Sequence, residues 1–278
     1  MARIIGGIFS SHVPAIGGAI ARGHQQQPYW KPFFDAFIPL RQWLQEARPD
    51  VAVVFYNDHG LNFFLDKMPT FAIGAAPGYC NADEGWGIPQ VAPFTGEEGL
   101  SWHLIESLVA KDFDIVSCQE MTVDHAFTLP LQLLWPDQAW PVKVVPVCIN
   151  TVLFPLPSAR RCWHLGQAVG QAIGSWQHEA RVLVLGTGGL SHQLEGERAG
   201  HINAPYDRRF MDSLTADPSW ATQQSINDIV REVGTQGIEL LNWLAARGAL
   251  TGQVRELHRT YHIPISNTAA AVMSMSND

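Results

Sequence analysis

Apolar residues fall along this chain in short, well-separated runs. Residues 4–10 form one that ends at Ser11 and His12 and predicts a first strand. Residues 51–56 (VAVVFY) are apolar without a break, the mark of a strand buried on both faces. Asn57, Asp58, His59 and Gly60 follow at once. Residues 142–147 and 181–185 are two further runs of this kind, and the second enters Gly186-Thr187-Gly188-Gly189. Shorter strands are predicted at 71–73 and 113–116. Helical spacing covers 99–110, 157–173, 207–215, 224–232 and 236–246, with Arg247-Gly248 as the predicted cap of the last. Residues 75–97 are rich in Gly, Pro, Asp and Glu and predict a long loop. Compact domains reserve such lengths mostly for function. Strands alternating with helices predict an α/β fold with a central, mainly parallel or mixed sheet flanked by helices. No linker or shift of composition divides the chain, so residues 1–278 read as one domain.

Composition narrows the function classes. The 278 residues are 46% hydrophobic and 16% charged, which is ordinary for a soluble globular protein. The formal charge of −8 argues against a broad nucleic-acid face, which needs clustered Lys and Arg. No apolar run approaches the roughly 20 residues of a membrane span. The opening MARIIGGIFSSHVPA has no long apolar stretch with a small-residue cleavage site, so no signal peptide is expected. Cys80, Cys118, Cys148 and Cys162 lack any CxxC spacing, which fits a reduced, cytoplasmic protein.

The candidate chemistry lies in the histidines. Ligands of open α/β sheets bind beyond the carboxyl ends of the strands. His12 follows the first strand, His59 the second, and His192 the run at 181–185 by way of the glycine turn. One histidine so placed is usually structural, but three would converge on one site. Glu239 is the candidate carboxylate, with Leu240, Leu241 and Leu244 beside it on an apolar helix. A carboxylate there is costly unless paired or metal-bound, so a salt bridge or a solvated helix edge is the alternative. Two histidines and one carboxylate make the facial triad of non-haem Fe(II) sites, and Zn(II) accepts the same set. Spacing does not choose between the metals. Adjacent residues on a turn point apart, which speaks against a Ser191–His192 pair. GTGG without GK[ST] or GxGxxG is a weak phosphate signal, and its glycines are read as letting the backbone pass close to the site.

Longer motifs carry a resemblance. SSHVPAIG (11–18), YNDH (56–59), PTFAIG (69–74), ADEGWG (82–87), VDH (123–125), GTGGLSHQLEGERAGHIN (186–203), GIELLNWLAARGAL (237–250) and YHIPISNTA (261–269) run in order along the chain. With them the chain resembles the class III extradiol ring-cleavage dioxygenases, above all the catalytic beta subunits that open protocatechuate at the 4,5 bond. The resemblance implies an α/β catalytic domain that inserts both atoms of O2 into a catecholic aromatic acid. It implies Fe(II) held by His12, His59 and Glu239, His192 as acid/base, and His125 as a second active-site histidine. Ser266 and Asn267 match the region that contacts the substrate carboxylate, and Trp86 lies in the entrance motif. Relatives acting on gallate or 3-O-methylgallate share most of these motifs. Gly60 stands where Ala is usual, Ile88-Pro89-Gln90 where a Pro-Arg-Pro stretch is usual, and Ala126-Phe127 where VDH is usually followed by Gly. These departures bear on the substrate more than on the reaction. The resemblance also implies a partner: a separate small alpha subunit over the site, or self-association. A zinc hydrolase and a metal-free binding protein on the same scaffold are the competing classes.

Overall fold

The buried runs become the middle of a mixed sheet. The computed structural model describes residues 1–85, 87–263 and 267–277. In chain order its elements are β1 (Arg3–Ser10), α1 (Pro14–Ala21), α2 (Lys31–Asp35), α3 (Ile38–Ala47), β2 (Val51–Tyr56), β3 (Phe71–Gly74), β4 (Gly78–Asn81) and β5 (Phe94–Thr95). There follow α4 (Glu98–Val109), β6 (Val116–Cys118), β7 (Thr122–Val123), α5 (His125–Leu134), β8 (Lys143–Ile149), α6 (Ala159–Ser175) and β9 (Arg181–Thr187). The last are α7 (Ala204–Ala216), α8 (Ile226–Val233), a 3-10 turn at Gly237–Glu239, α9 (Leu240–Ala249), β10 (Val254–His262) and β11 (Ala270–Asn277). Eight strands make the main sheet in the order β10-β11-β1-β9-β2-β8-β3-β6, and β5-β4-β7 make a small second one. The central pairs β1–β9, β9–β2 and β2–β8 are parallel, while β11 runs antiparallel to β1 and β3 antiparallel to β8.

Period-2 alternation on β2 supplies both faces of the sheet. Val51, Val53 and Phe55 join the cluster under α4, α6 and α9, and Ala52, Val54 and Tyr56 join the cluster under α1, α3 and α5. Burial on both faces is why the run reads as continuously apolar. Helices α6 and α9 approach closely because α6 carries glycines at the contact. A Cβ on Gly166 would run into the Ala245 carbonyl, and one on Gly170 into that of Ala249.

Several expectations are corrected. The segment 236–246 is no single helix: a 3-10 turn ends at Glu239, which then caps α9. Gly248 is no cap but an interior residue of α9, because the helix must pass close under Trp163 and Gly166. The strand expected at 113–116 starts at Val116, and the loop at 75–97 contains β4 and β5. Helices α1, α2, α3 and α5 and the β10–β11 hairpin are elements the apolar pattern does not announce.

Candidate active site

The three histidines do converge. Strands β1, β9 and β2 are neighbours and parallel, so the chain leaves all three at the same edge of the sheet. His12 leaves β1 just before α1, His59 leaves β2, and His192 follows β9 through the glycine turn. There they line a cavity of about 520 Å3 together with His125 and Glu239. Val13, Pro14, Val152, Phe154, Leu156 and Leu194 give the same cavity an apolar lining.

The polar end of the cavity is tightly built. Glu239 spans two histidines: its Oε2 lies 3.3 Å from His12 Nε2 and its Oε1 lies 3.4 Å from His59 Nε2. Backbone N–H of Gly189 donates to Oε2 at 2.9 Å, and Asn57 Nδ2 donates to Oε1 at 3.3 Å. Gly188, at φ +119°, lets the turn pass so close: a Cβ there would lie 2.6 Å from the Glu239 Cβ. The His59 and His125 rings stack at 4.2 Å, and His12 stands edge-on to both at 5.3 Å. Ring nitrogens of His12, His59 and His125 come within 4.8 Å of one another, a set able to hold a metal ion. One detail tests that fit directly. His12 Nε2 is buried without any hydrogen-bond partner, although the Glu239 oxygen is near. A buried ring nitrogen that close to a carboxylate oxygen, without a well-directed hydrogen bond to it, fits a pair of ligands for one cation.

Outer partners fix each ring. Asp124 Oδ2 accepts from His59 Nδ1 at 2.9 Å and from the His59 backbone N–H at 2.8 Å. Nδ1 is thereby fixed as a donor, and Nε2 is the ring nitrogen that faces the site. Glu84 grips His125 in the same way, accepting from Nδ1 at 2.5 Å and from the backbone N–H at 2.7 Å. Leu190 O lies 2.8 Å from His192 Nδ1. A carbonyl only accepts, so a neutral His192 keeps its proton on Nδ1 and offers Nε2 as a base. Ser191 turns away from His192: its hydroxyl donates to Asp207 at 2.6 Å and its N–H to the same carboxylate at 3.0 Å. Burial pushes the Asp207 pKa up.

Charge follows the same contacts. Burial would raise the Glu239 pKa, but His12 and His59 outweigh it and hold the carboxylate well below the usual range. Burial opposes a charge on His59, yet Asp124 and Glu239 together hold its pKa well above that of free imidazole. Burial pushes the His125 pKa down against the opposite pull of Glu84.

Of the residues expected at the site, His12, His59, His125, His192 and Glu239 lie together. Asn267 is exposed, beside Gly200, and does not line the cavity, whereas its neighbour Thr268 does. Ser266 and Trp86 lie outside the described residues. Sequence reasoning missed Asp124, Glu84, Asn57 and Asn242. Asn242 Nδ2 donates to Asn57 Oδ1 at 3.0 Å and to Thr187 O at 2.9 Å, which fixes the amide that bonds Glu239. The available signal was the polar doublets NDH and VDH. It misleads, because Asp58 caps the backbone N–H groups of residues 60–63 instead of touching a histidine ring.

Residues 6–273 match the family model described as the catalytic LigB subunit of aromatic ring-opening dioxygenase, and the chain belongs to that family. Among its relatives, a gallate dioxygenase of Pseudomonas putida is 38% identical over 197 residues, 70% of this chain and 58% of that protein. A 2,3-dihydroxyphenylpropionate/2,3-dihydroxicinnamic acid 1,2-dioxygenase of Photorhabdus laumondii is 36% identical over 70% of this chain and 58% of its own. The enzyme of the same name from Xanthobacter autotrophicus is 31% identical over 82% of this chain and 85% of its own. The chain thus spans 58% of the length of the first two. An uncharacterized Escherichia coli K12 protein of known structure shares the fold, with a TM-score of 0.57 at 16% identity over 97% of this chain and 99% of its own.

Proposed function

We propose that this chain is the catalytic domain of an Fe(II)-dependent extradiol dioxygenase. In this reading His12, His59 and Glu239 hold the metal, His192 is the acid/base, and His125 is a second active-site histidine. The carrying observation is the partnerless, buried His12 Nε2 aimed at a Glu239 carboxylate that His59 also approaches. The donor set has two imidazoles and one carboxylate, which leaves coordination positions for other ligands. Bound there, Fe(II) would supply a point of chelation for two adjacent ring oxygens and a position for O2. The chain's own residues do the rest. His192 Nε2 takes a proton from a ring hydroxyl and returns it when the ring opens, while the Leu190 carbonyl keeps its Nδ1 protonated. Glu84 holds the His125 ring in place beside His12 and His59. The apolar lining keeps water away from the reacting oxygens.

The substrate in this reading is a catecholic acid. Protocatechuate, cleaved at its 4,5 bond to a semialdehyde, is the choice the motifs favour. Gallate, the alternative, is supported as well by the 38% identity to a gallate dioxygenase. By the motif resemblance the substrate carboxylate falls to the segment of Ser266 and Asn267, next in sequence to Thr268, which lines the cavity, whereas Asn267 itself is exposed outside it. A small alpha subunit or a second copy of the chain completes the entrance, and the enzyme works in the cytoplasm. Among the described residues no helix is long and apolar enough to cross a membrane.

The test is anaerobic reconstitution with Fe(II), then oxygen uptake with protocatechuate, gallate and 3-O-methylgallate and product mass. Uptake with both oxygen atoms in a ring-opened product is the expected result. Failure to retain iron would overturn the ligand assignment. Bound iron without turnover of any of the three would point to a missing partner subunit or to a different catechol.

A further inference from the structure

The rim of the cavity carries a donor that the ring-opening chemistry does not use. Gln236 is half-buried and lines the cavity. Its Oε1 accepts from the Leu194 backbone N–H at 3.1 Å and from the Thr235 hydroxyl at 2.7 Å. A backbone N–H only donates, so the oxygen of this amide is the atom turned to Leu194. Nε2 is left without a partner among the described residues, and unlike the sealed Tyr56 hydroxyl it keeps access to solvent. The segment around it is firmly held. His192 N–H donates to Val233 O at 2.8 Å and Gly237 N–H donates to His192 O at 3.1 Å, which laces residues 233–237 to the proposed acid/base.

Local geometry sets Gln236 against Glu239. Gln236 precedes the 3-10 turn that ends at Glu239, and the Glu239 N–H donates back to Gln236 O at 3.2 Å. Side chains three apart on such a turn eclipse, and each residue rises by about 2 Å. The two side chains therefore share a face and stand about 6 Å apart along it. A ring whose two hydroxyls lie at the Glu239 end brings a far substituent to the Gln236 end. Charge says which substituent belongs there. Among the described residues no Lys or Arg lines the cavity, and Val13, Val152 and Leu156 make its wall apolar. A carboxylate set against that wall would lose its hydration with no cation in return. Gln236 stands instead at the wet rim, where Thr235 is exposed and Leu194 is 58% exposed. A carboxylate there keeps water on one side and takes the amide N–H on the other. Asn267 lies outside the cavity, so among the described residues Gln236 supplies the side-chain amide on its wall.

We propose that Gln236 is a substrate-binding residue of this site, and that its Nε2 donates to the carboxylate of the catecholic acid and orients the ring toward His192. The inference rests on the ring-opening reading and adds to it a residue one position before the GIELLNWLAARGAL motif. The test crosses the side chain with the substrate charge. Wild type, Q236L and Q236E, each loaded with Fe(II), are given protocatechuate and gallate and their uncharged counterparts catechol and pyrogallol, which lack only the carboxylate. Kd is read by titration without oxygen, and kcat/KM by oxygen uptake. Q236L is expected to weaken both acids about 10-fold relative to catechol and pyrogallol, the size of one hydrogen bond to a charged group. Q236E keeps an acceptor for Leu194 but sets one carboxylate against another, and is expected to weaken the acids further, by up to about 100-fold. Iron content should match wild type in both variants. A milder effect of Q236E than of Q236L would mean that Gln236 serves only to hold Leu194, and overturns the proposal. An equal loss on all four compounds, no loss, or binding of none of them to the iron-loaded wild type overturns it too. Wild type that retains no iron overturns the ring-opening reading itself, and the proposal with it.

Discussion

At the level of single residues, function depends on which oxygen fixes which ring. Asp124 sits beside His125 in sequence yet bonds His59, which lies 65 positions away. D124N removes the negative charge behind His59 Nδ1 and leaves a single oxygen where Asp124 uses two, one for His59 and one for the Ala126 N–H. It should weaken metal binding about 10- to 100-fold in a chelator competition while leaving Glu239 in place. Acid should expose the same contact in the metal-free protein. Burial would raise the Asp124 pKa, but His59 outweighs it and lowers it from the usual 3.8 to about 2. Stability from this depressed carboxylate is complete above pH 4 and is lost as pH falls toward 2. Chemical denaturation across that window should therefore show a flatter pH slope in D124N than in wild type. H192Q separates binding from chemistry: iron content should hold, while kcat falls by about 10^2 to 10^4. The histidines and Glu239 were legible as residues because imidazoles at strand ends and a carboxylate among leucines are exceptions to the local pattern. Asp124, Glu84 and Asn57 were not, because a polar residue beside a histidine says nothing about which distant ring it will meet.

Among elements, the parallel strands could be read directly and their covering could not. β2, β8 and β9 are buried on both faces, and that alone makes their runs continuous. Helix α5 is buried over all ten residues and carries Pro130, so it lacks both a polar face and an unbroken helical pattern. The β10–β11 hairpin alternates weakly because β10 is a half-exposed edge strand. Gly248 looked like a helix stop for a sound reason, since glycine often ends helices. Here it serves contact with α6 instead. The same contact makes a test. G166A places a methyl group against the Ala245 carbonyl and should destabilise the protein by about 1–3 kcal/mol in a denaturant melt. Iron affinity, measured under native conditions, should be unchanged, because α6 contributes no residue to the cavity lining.

Over the whole molecule, net charge bears on how a charged substrate approaches. The chain carries a formal −8, and the proposed acids are anionic. Raising ionic strength from 0.01 to 0.15 M shortens the Debye length from about 30 to about 8 Å. Screening should then raise kcat/KM for gallate, by up to about 10-fold, and leave pyrogallol unchanged. Spatial strand order was beyond the sequence: nothing in the runs says that β9 lies between β1 and β2.

That order has a consequence for how the enzyme matures. β1, which carries His12 at its end, is held on one side by β9 and on the other by β11, with Ser10 paired to Val272. Glu239 arrives from still another part of the chain. On the proposed ligand set, a nascent polypeptide has no metal site until His12 and Glu239, more than 200 positions apart, have met, and such long-range pairing is slow. In that reading the metal enters only after the chain has folded. Metal uptake would then act as an inspection of folding, since a wrongly paired chain lacks the proposed site and would stay silent toward oxygen.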